Sequence, residues 1–209
     1  MTTRRKHGLL YSGIFLLFFG ALALYSASLA KTPEHELRFT FEAESGLEPA
    51  TLGPNLQYPI NWPNWFKGVE RAEAVNALGQ AYGIRDQVVL PESLIQLEVK
   101  PSSAEKPYAL MFRVVAFVPN EVMSLELVQD PSLKIRPYFK KIRWEIRISR
   151  EGTRSLIQGT VSGQAMKWKT RVLGTLVPGL ILPRFFYPDL KRLAVSSKPL
   201  SPMGTQVFP

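Results

Sequence analysis

The N-terminal segment restricts what this chain can become more than any other feature of the sequence. Three basic residues at positions 4–6 precede an uncharged, mostly apolar run from residue 8 to residue 30. About 20 such residues are enough for a transmembrane helix, and the positive-inside rule keeps the basic end in the cytoplasm. We therefore expect a single-pass membrane protein whose residues 31–209 lie on the non-cytoplasmic side.

A cleaved signal peptide is the alternative interpretation of residues 1–30. Signal peptides have an apolar region of about 7–15 residues followed by small residues at the cleavage site, and Ser28 and Ala30 are small residues at that spacing. Cleavage would make the domain secreted or periplasmic. Both interpretations place residues 31–209 in the same compartment.

The composition excludes several kinds of site. The chain has no cysteine, and its two histidines, His7 and His35, lie in or next to the N-terminal segment. Disulfides, thiolate zinc sites and cysteine nucleophiles are therefore excluded, and a histidine-rich metal site or a Ser-His-Asp triad is hard to build. We expect no metal and no cofactor, and no residue pattern indicates a catalytic group.

The net charge of +9 is unevenly distributed. Residues 31–129 hold eight Lys/Arg and thirteen Asp/Glu, whereas residues 130–198 hold fifteen and four. An exported domain rarely meets nucleic acid, so we expect none as a partner. Anionic lipid headgroups, which attract basic residues near a membrane surface, are one interpretation of this basic half. A solvated basic face without a partner is the other.

Alternating apolar and polar residues predict a mostly β domain. The predicted strands are residues 36–42, 68–76, 93–100, 107–118, 121–129, 140–150 and 153–163. Residues 43–63 are expected to be irregular, because they contain two glycines and four prolines. Arg113 is the only charge in its strand; it could anchor an acidic ligand group, but we favour the outer face of the sheet.

The pattern changes after the last strand. Residues 164–196 have helical character, since Trp168, Val172, Leu176 and Leu180 recur at every fourth position and so share one helix face. Pro178, Pro183 and Pro188 must kink or interrupt this helix. Residues 199–209 are expected to be a disordered tail.

The order of elements resembles the helix-grip fold of the SRPBCC superfamily, which includes START-like lipid-binding and polyketide cyclase/dehydrase proteins. The resemblance covers roughly residues 36–196 and rests on four segments: Trp62-Pro63-Asn64-Trp65 before the second strand, the hairpin at 115–127, the hairpin that turns at 151–153, and the helix at 174–193. It implies an α+β domain over residues 31–198, with about seven antiparallel strands curled around a long C-terminal helix. The family places two short helices after the first strand, and residues 45–60 are too rich in Gly and Pro to form them well.

The resemblance further implies an apolar cavity between sheet and helix that holds a lipid or another hydrophobic molecule. The candidate lining residues are Phe39, Phe112, Val114, Met123, Leu125, Trp144 and Ile146 from the sheet, and Trp168, Val172, Leu176 and Leu180 from the helix. The same residues could instead fill a dry core. Three functions therefore remain: a membrane-tethered binder or carrier of a hydrophobic ligand, an interaction module with a filled core that assists a membrane complex, and a cyclase- or dehydrase-type enzyme.

Overall fold

A computed structural model describes residues 25, 28, 36–100, 106–133, 135–167, 170 and 183–197. Most of the predicted anchor (residues 1–24, 26, 27, 29 and 30) and the predicted tail (residues 199–209) lie outside this set. Within the described part of the chain, no helix has the length and apolarity that crossing a bilayer requires.

One antiparallel sheet of seven strands dominates the domain, as the sequence predicts. The strands are β1 (Glu36–Ser45), β2 (Val69–Val75), β3 (Leu94–Val99), β4 (Tyr108–Val118), β5 (Val122–Gln129), β6 (Phe139–Glu151) and β7 (Arg154–Ala165). Their spatial order is β1-β7-β6-β5-β4-β3-β2, so the first strand lies beside the last one. The sheet curls, and its inner side carries the apolar residue of each alternating pair.

The outer side of the sheet carries most of the charge. Arg113 is exposed, and its strand neighbours Phe112 and Val114 are 6% and 0% exposed. The expectation that Arg113 faces outward is therefore confirmed. It lies opposite Glu126 of β5, a position from which its guanidinium cannot reach a ligand on the inner side.

Two short helices follow β1, and the prediction of an irregular segment there is wrong. They are α1 (Pro49–Gln57) and α2 (Trp62–Trp65), joined by a 3₁₀ turn at Pro59–Asn61. Pro49 occupies the first helical position, where the missing N–H costs nothing. Pro54 inside α1 costs roughly 3 kcal/mol, but burial of Leu52 and Leu56 contributes about 1.5–3 kcal/mol each. Packing on the sheet therefore outweighs the local preference.

The C-terminal part also differs from its prediction. Residues 164 and 165 belong to β7, because Gln164 pairs with Glu36 and Ala165 pairs with Phe139. The described helix is α3 (Pro183–Val195). Of the prolines expected to kink or interrupt the helix, Pro183 is its first residue and Pro188 lies inside it. It packs on β1, β7 and α2 through Leu190, Leu193 and Ala194, all of which are buried.

Candidate functional site

The concave face of the sheet is the candidate site, because the register brings the predicted sheet residues together there. Leu125 of β5 lies opposite Trp144 of β6 and Val114 of β4, and Met123 lies opposite Ile146. Together with Phe112, these residues belong to the main core cluster. All seven sheet residues, Phe39 included, are at most 8% exposed. Their contact with a ligand stays a prediction.

Aromatic residues of α2 and of the position that follows it cover the middle of this face. The Trp65 ring lies 6.1 Å from the Trp144 ring, and the Phe66 ring lies 4.4 Å from it, measured between centroids. The Nε1 groups of Trp62 and Trp65 donate to the carbonyls of Leu56 and Asn55 at 3.2 Å, which satisfies both buried donors. The Trp-Pro-Asn-Trp motif therefore forms a packed lid over Trp144, a role that the sequence pattern alone did not reveal.

The other half of the face is less completely covered. Phe39 lies opposite Val161, yet it belongs with Leu37 and Ala165 to a second buried cluster, whereas Val161 packs against the main cluster. Ile142 and Val161 are each only half-buried. We call the floor formed by Phe39, Val161, Ile142, Leu127 and Phe112 the distal floor.

Gly163 lies beside the distal floor and is closely surrounded by its neighbours. It lies opposite both Leu37 and Ile142, and a Cβ there would lie 3.1 Å from the Phe139 ring and 3.4 Å from the Ile142 side chain, so this position contributes no open space. The four helix residues predicted to line the cavity, Trp168, Val172, Leu176 and Leu180, lie outside the described residues.

A buried carboxylate joins α3 to the lid. Asp189 is 2% exposed, and its Oδ1 accepts the backbone N–H of Lys67 at 3.0 Å. Burial raises the pKa of Asp189 to about 6, and the Lys67 hydrogen bond together with the charges of Arg192 and Lys67 opposes that rise. No alternation or helical period in the sequence predicts this residue, although it is the only acidic residue after Glu151.

Described residues line clefts that include no predicted cavity residue. One, of about 350 Å³, lies between the β1 edge and α3 and is lined by Glu42, Ala43, Glu44, Leu156, Tyr187 and Lys191. The other, of about 640 Å³, lies beside the start of α1 and the β4–β5 turn. Among the residues placed by the structure, no group of three His, Cys, Asp or Glu side chains could hold a metal ion.

Comparison with known proteins shows similarity in structure alone. No protein-family model matches the chain, and no curated protein is similar to it in sequence. Major latex-like protein 151 from Panax ginseng superposes with a TM-score of 0.56 at 10% identity, over 78% of this chain and 99% of that one. The di-domain ARO/CYC StfQ from the steffimycin biosynthetic pathway gives 0.55 at 10% identity, over 78% of this chain and 51% of its own.

A third similar structure is norcoclaurine synthase from Thalictrum flavum in complex with dopamine and hydroxybenzaldehyde. Its TM-score is 0.52 at 10% identity, over 79% of this chain and 88% of that one. These neighbours have the Bet v1-like, polyketide cyclase-type fold of the SRPBCC superfamily. At this level of identity the likeness establishes the fold, and the helix-grip prediction is confirmed to that extent.

Proposed function

We propose that this protein binds a hydrophobic small molecule or lipid on the distal floor, and that residues 8–30 hold the domain at a membrane. Residues 168–182 would form the opposite wall of the cavity. An apolar ligand dissolved in the bilayer would then be within reach of the binding face. Norcoclaurine synthase, which shares the fold, was solved with two aromatic small molecules, and this supports a small molecule as the occupant.

The observation that carries the proposal is the incomplete packing of the distal floor. Protein interiors are normally close-packed, and under the α2 lid Val114, Leu125 and Ile146 are fully buried, at 0% exposure. On the distal floor Phe39, Phe112 and Leu127 are 6–8% exposed, and Ile142 and Val161 are the two residues that remain half-buried. Ligand pockets are mostly apolar with few polar groups, which is the composition of this floor.

A ligand-uptake experiment tests the proposal. The full chain in detergent or nanodiscs should bind a fluorescent fatty acid, and native mass spectrometry should detect a co-purified hydrophobic molecule. Val161→Trp would fill the space above the floor and should lower uptake at least tenfold. Ser162→Trp places the same side chain on the opposite face of the same strand and should leave uptake unchanged.

A filled core is the competing function, and the α2 lid favours it. Trp65 and Phe66 already occupy the middle of the concave face, so a similar aromatic filling of the distal floor would leave an interaction module without a ligand. Absence of any bound molecule and equal fatty-acid signals from both tryptophan variants would support that module and reject the binder.

A further inference from the structure

The end of the sheet next to the distal floor carries exposed apolar side chains surrounded by cations. Leu133, Tyr138 and Met166 are 64%, 48% and 56% exposed. Four exposed basic residues lie in the same segments. We call these seven residues the basic tip: Leu133, Tyr138 and Met166 with Arg136, Lys140, Lys141 and Lys167.

Hydrogen bonds hold the basic tip in one arrangement. The Met166 N–H donates to the Tyr138 carbonyl at 2.8 Å, and the Lys167 ammonium lies 5.3 Å from the centre of the Tyr138 ring. These contacts bring the β5–β6 loop and the end of β7 together, so residues far apart in sequence form one surface.

The loop that presents Leu133 is built around a buried carboxylate. Asp130 is 4% exposed, and its Oδ2 accepts the backbone N–H groups of Ile135 at 2.7 Å and Arg136 at 3.0 Å. Leu133 itself has a φ of +54°, which is unfavourable for a side chain with a Cβ. The loop therefore holds an apolar side chain in water with an unfavourable backbone conformation. Contact with an apolar partner would remove that side chain from water and so stabilise this arrangement.

The charge around the apolar residues identifies the partner's chemistry. The Asp130 carboxylate is turned inward, and Glu36 at the start of β1 is the nearest exposed acidic residue along the paired strands, opposite Gln164. Four cations around three exposed apolar side chains match a surface that is anionic outside and apolar beneath. A bilayer containing anionic phospholipid has that layering.

The strand register gives the basic tip its position relative to the proposed anchor. Glu36 lies opposite Gln164, two residues before Met166, so β1 begins at the same end of the sheet as the tip. Only six residue steps separate position 30 from Glu36, and an extended chain covers about 20 Å in six steps. The anchor would hold this end, and not the opposite one, against the membrane.

We propose that the basic tip inserts Leu133, Tyr138 and Met166 into the headgroup region of an anionic bilayer, and that it turns the distal floor toward the lipid. The orientation rests on the membrane anchoring proposed above. Docking itself does not require that a ligand is bound, so the two proposals can fail separately.

The absence of native cysteine allows a direct test with a single fluorescent label. The full chain carrying Leu133→Cys, labelled with nitrobenzoxadiazole and placed in nanodiscs, should show a blue shift in discs with phosphatidylserine and quenching by doxyl-labelled lipid. Thr153→Cys, in the hairpin at the opposite end of the sheet, is the matched control and should report water in the same discs.

Charge variants separate electrostatic docking from simple proximity. Lys140→Gln combined with Lys141→Gln should lower the docking equilibrium constant roughly 30-fold, at about 1 kcal/mol for each basic residue, and salt should weaken docking. Arg85→Gln with Arg150→Gln removes the same charge from the other end of the sheet and should leave docking unchanged.

A label at position 133 that stays in water in anionic discs would overturn the proposal. Equal docking to phosphatidylcholine discs would also overturn it, because the cations would then have no role. Docking without fatty-acid uptake would support the tip while rejecting the ligand-binding function.

Discussion

Individual buried polar groups fix the position of α3 on the rest of the domain. The hydroxyl of Ser45 donates to the Ala194 carbonyl at 2.5 Å, and the Asn55 amide donates to the Ser196 carbonyl at 2.9 Å. Both bonds satisfy carbonyls at the end of α3 that have no partner within the helix. Asp189 adds the third attachment, and it is the one that responds to pH.

Asp189→Asn should change the pH dependence of stability. The pKa of Asp189 is about 6 in the folded protein against 3.8 ordinarily, so the folded state binds the proton more tightly. The contribution of protonated Asp189 to the free energy of unfolding is therefore complete below pH 4. It is lost as the pH rises through 6, which lowers the free energy of unfolding by about 2–3 kcal/mol. Asparagine keeps an acceptor for the Lys67 N–H without a buried charge.

The measurement is urea unfolding of the detergent-solubilised chain at pH 4.5 and pH 7.5, followed by tryptophan fluorescence. The variant should gain stability relative to the parent protein between the two pH values. Asp86→Asn removes an exposed carboxyl and should change stability by about 0.5 kcal/mol or less at either pH. A constant difference between Asp189→Asn and the parent would contradict the role of burial.

At the scale of elements, the pairing of β6 with β7 depends on one close approach. The register shifts between Phe139 and Ile142, and this irregularity brings the Lys141 carbonyl toward Gly163. A Cβ on Gly163 would lie 2.8 Å from that oxygen. Since the oxygen belongs to the backbone, it cannot rotate away.

Gly163→Ala should therefore lower the free energy of unfolding by about 1–3 kcal/mol, as overpacking does. Gly46→Ala is the matched control, because a Cβ there meets nothing within 4 Å. It should be neutral or stabilise by about 0.4–1 kcal/mol through the unfolded state. The measurement is the urea midpoint of unfolding of each variant. Equal midpoints for Gly163→Ala and Gly46→Ala would refute the close approach.

Elements with a regular period could be predicted from the sequence, and those held by tertiary contacts could not. The strands near 69–75, 94–99 and 122–129 were predicted within about two residues, because alternation directly reports a face that is buried on one side. Helix α1 was missed, since its two prolines signal a break while buried Leu52 and Leu56 keep it helical. The local sequence pattern does not indicate how much free energy the burial of these two residues contributes.

The candidate site was predictable to the same extent. Inward-facing residues such as Trp144 and Ile146 follow from alternation, and the register confirms that they share a face. Which part of that face is covered depends on where α2 lies, and the Trp65 and Phe66 contacts span nearly 80 residues of sequence. No periodicity encodes such a contact.

For the molecule as a whole, the proposed anchor would determine where the domain works. The protein should sediment with membranes, and Leu16→Asp combined with Phe18→Asp should release it or block insertion, because each charge at mid-bilayer costs about 2.5–3.5 kcal/mol. Leu133→Asp adds a single charge in the basic tip, outside the proposed anchor, and should leave the protein in the membrane fraction.

Protease added from outside to right-side-out spheroplasts should digest residues 31–209 of the parent protein. Complete protection of the domain, with digestion only after the membrane is opened, would reverse the proposed topology. The experiment needs no knowledge of the ligand, so its result bears on location alone.

The position of β1 beside β7 has a consequence for biosynthesis. Ser45 pairs with Ser155 and Glu36 with Gln164, so β1 has no native partner until more than a hundred further residues have been made. At 5–20 residues per second, the wait is roughly 6–24 s. During that time Leu37, Phe39 and Phe41 form an unpaired apolar edge, and the alternating Glu36, Arg38, Glu42 and Glu44 keep nascent chains from pairing with one another.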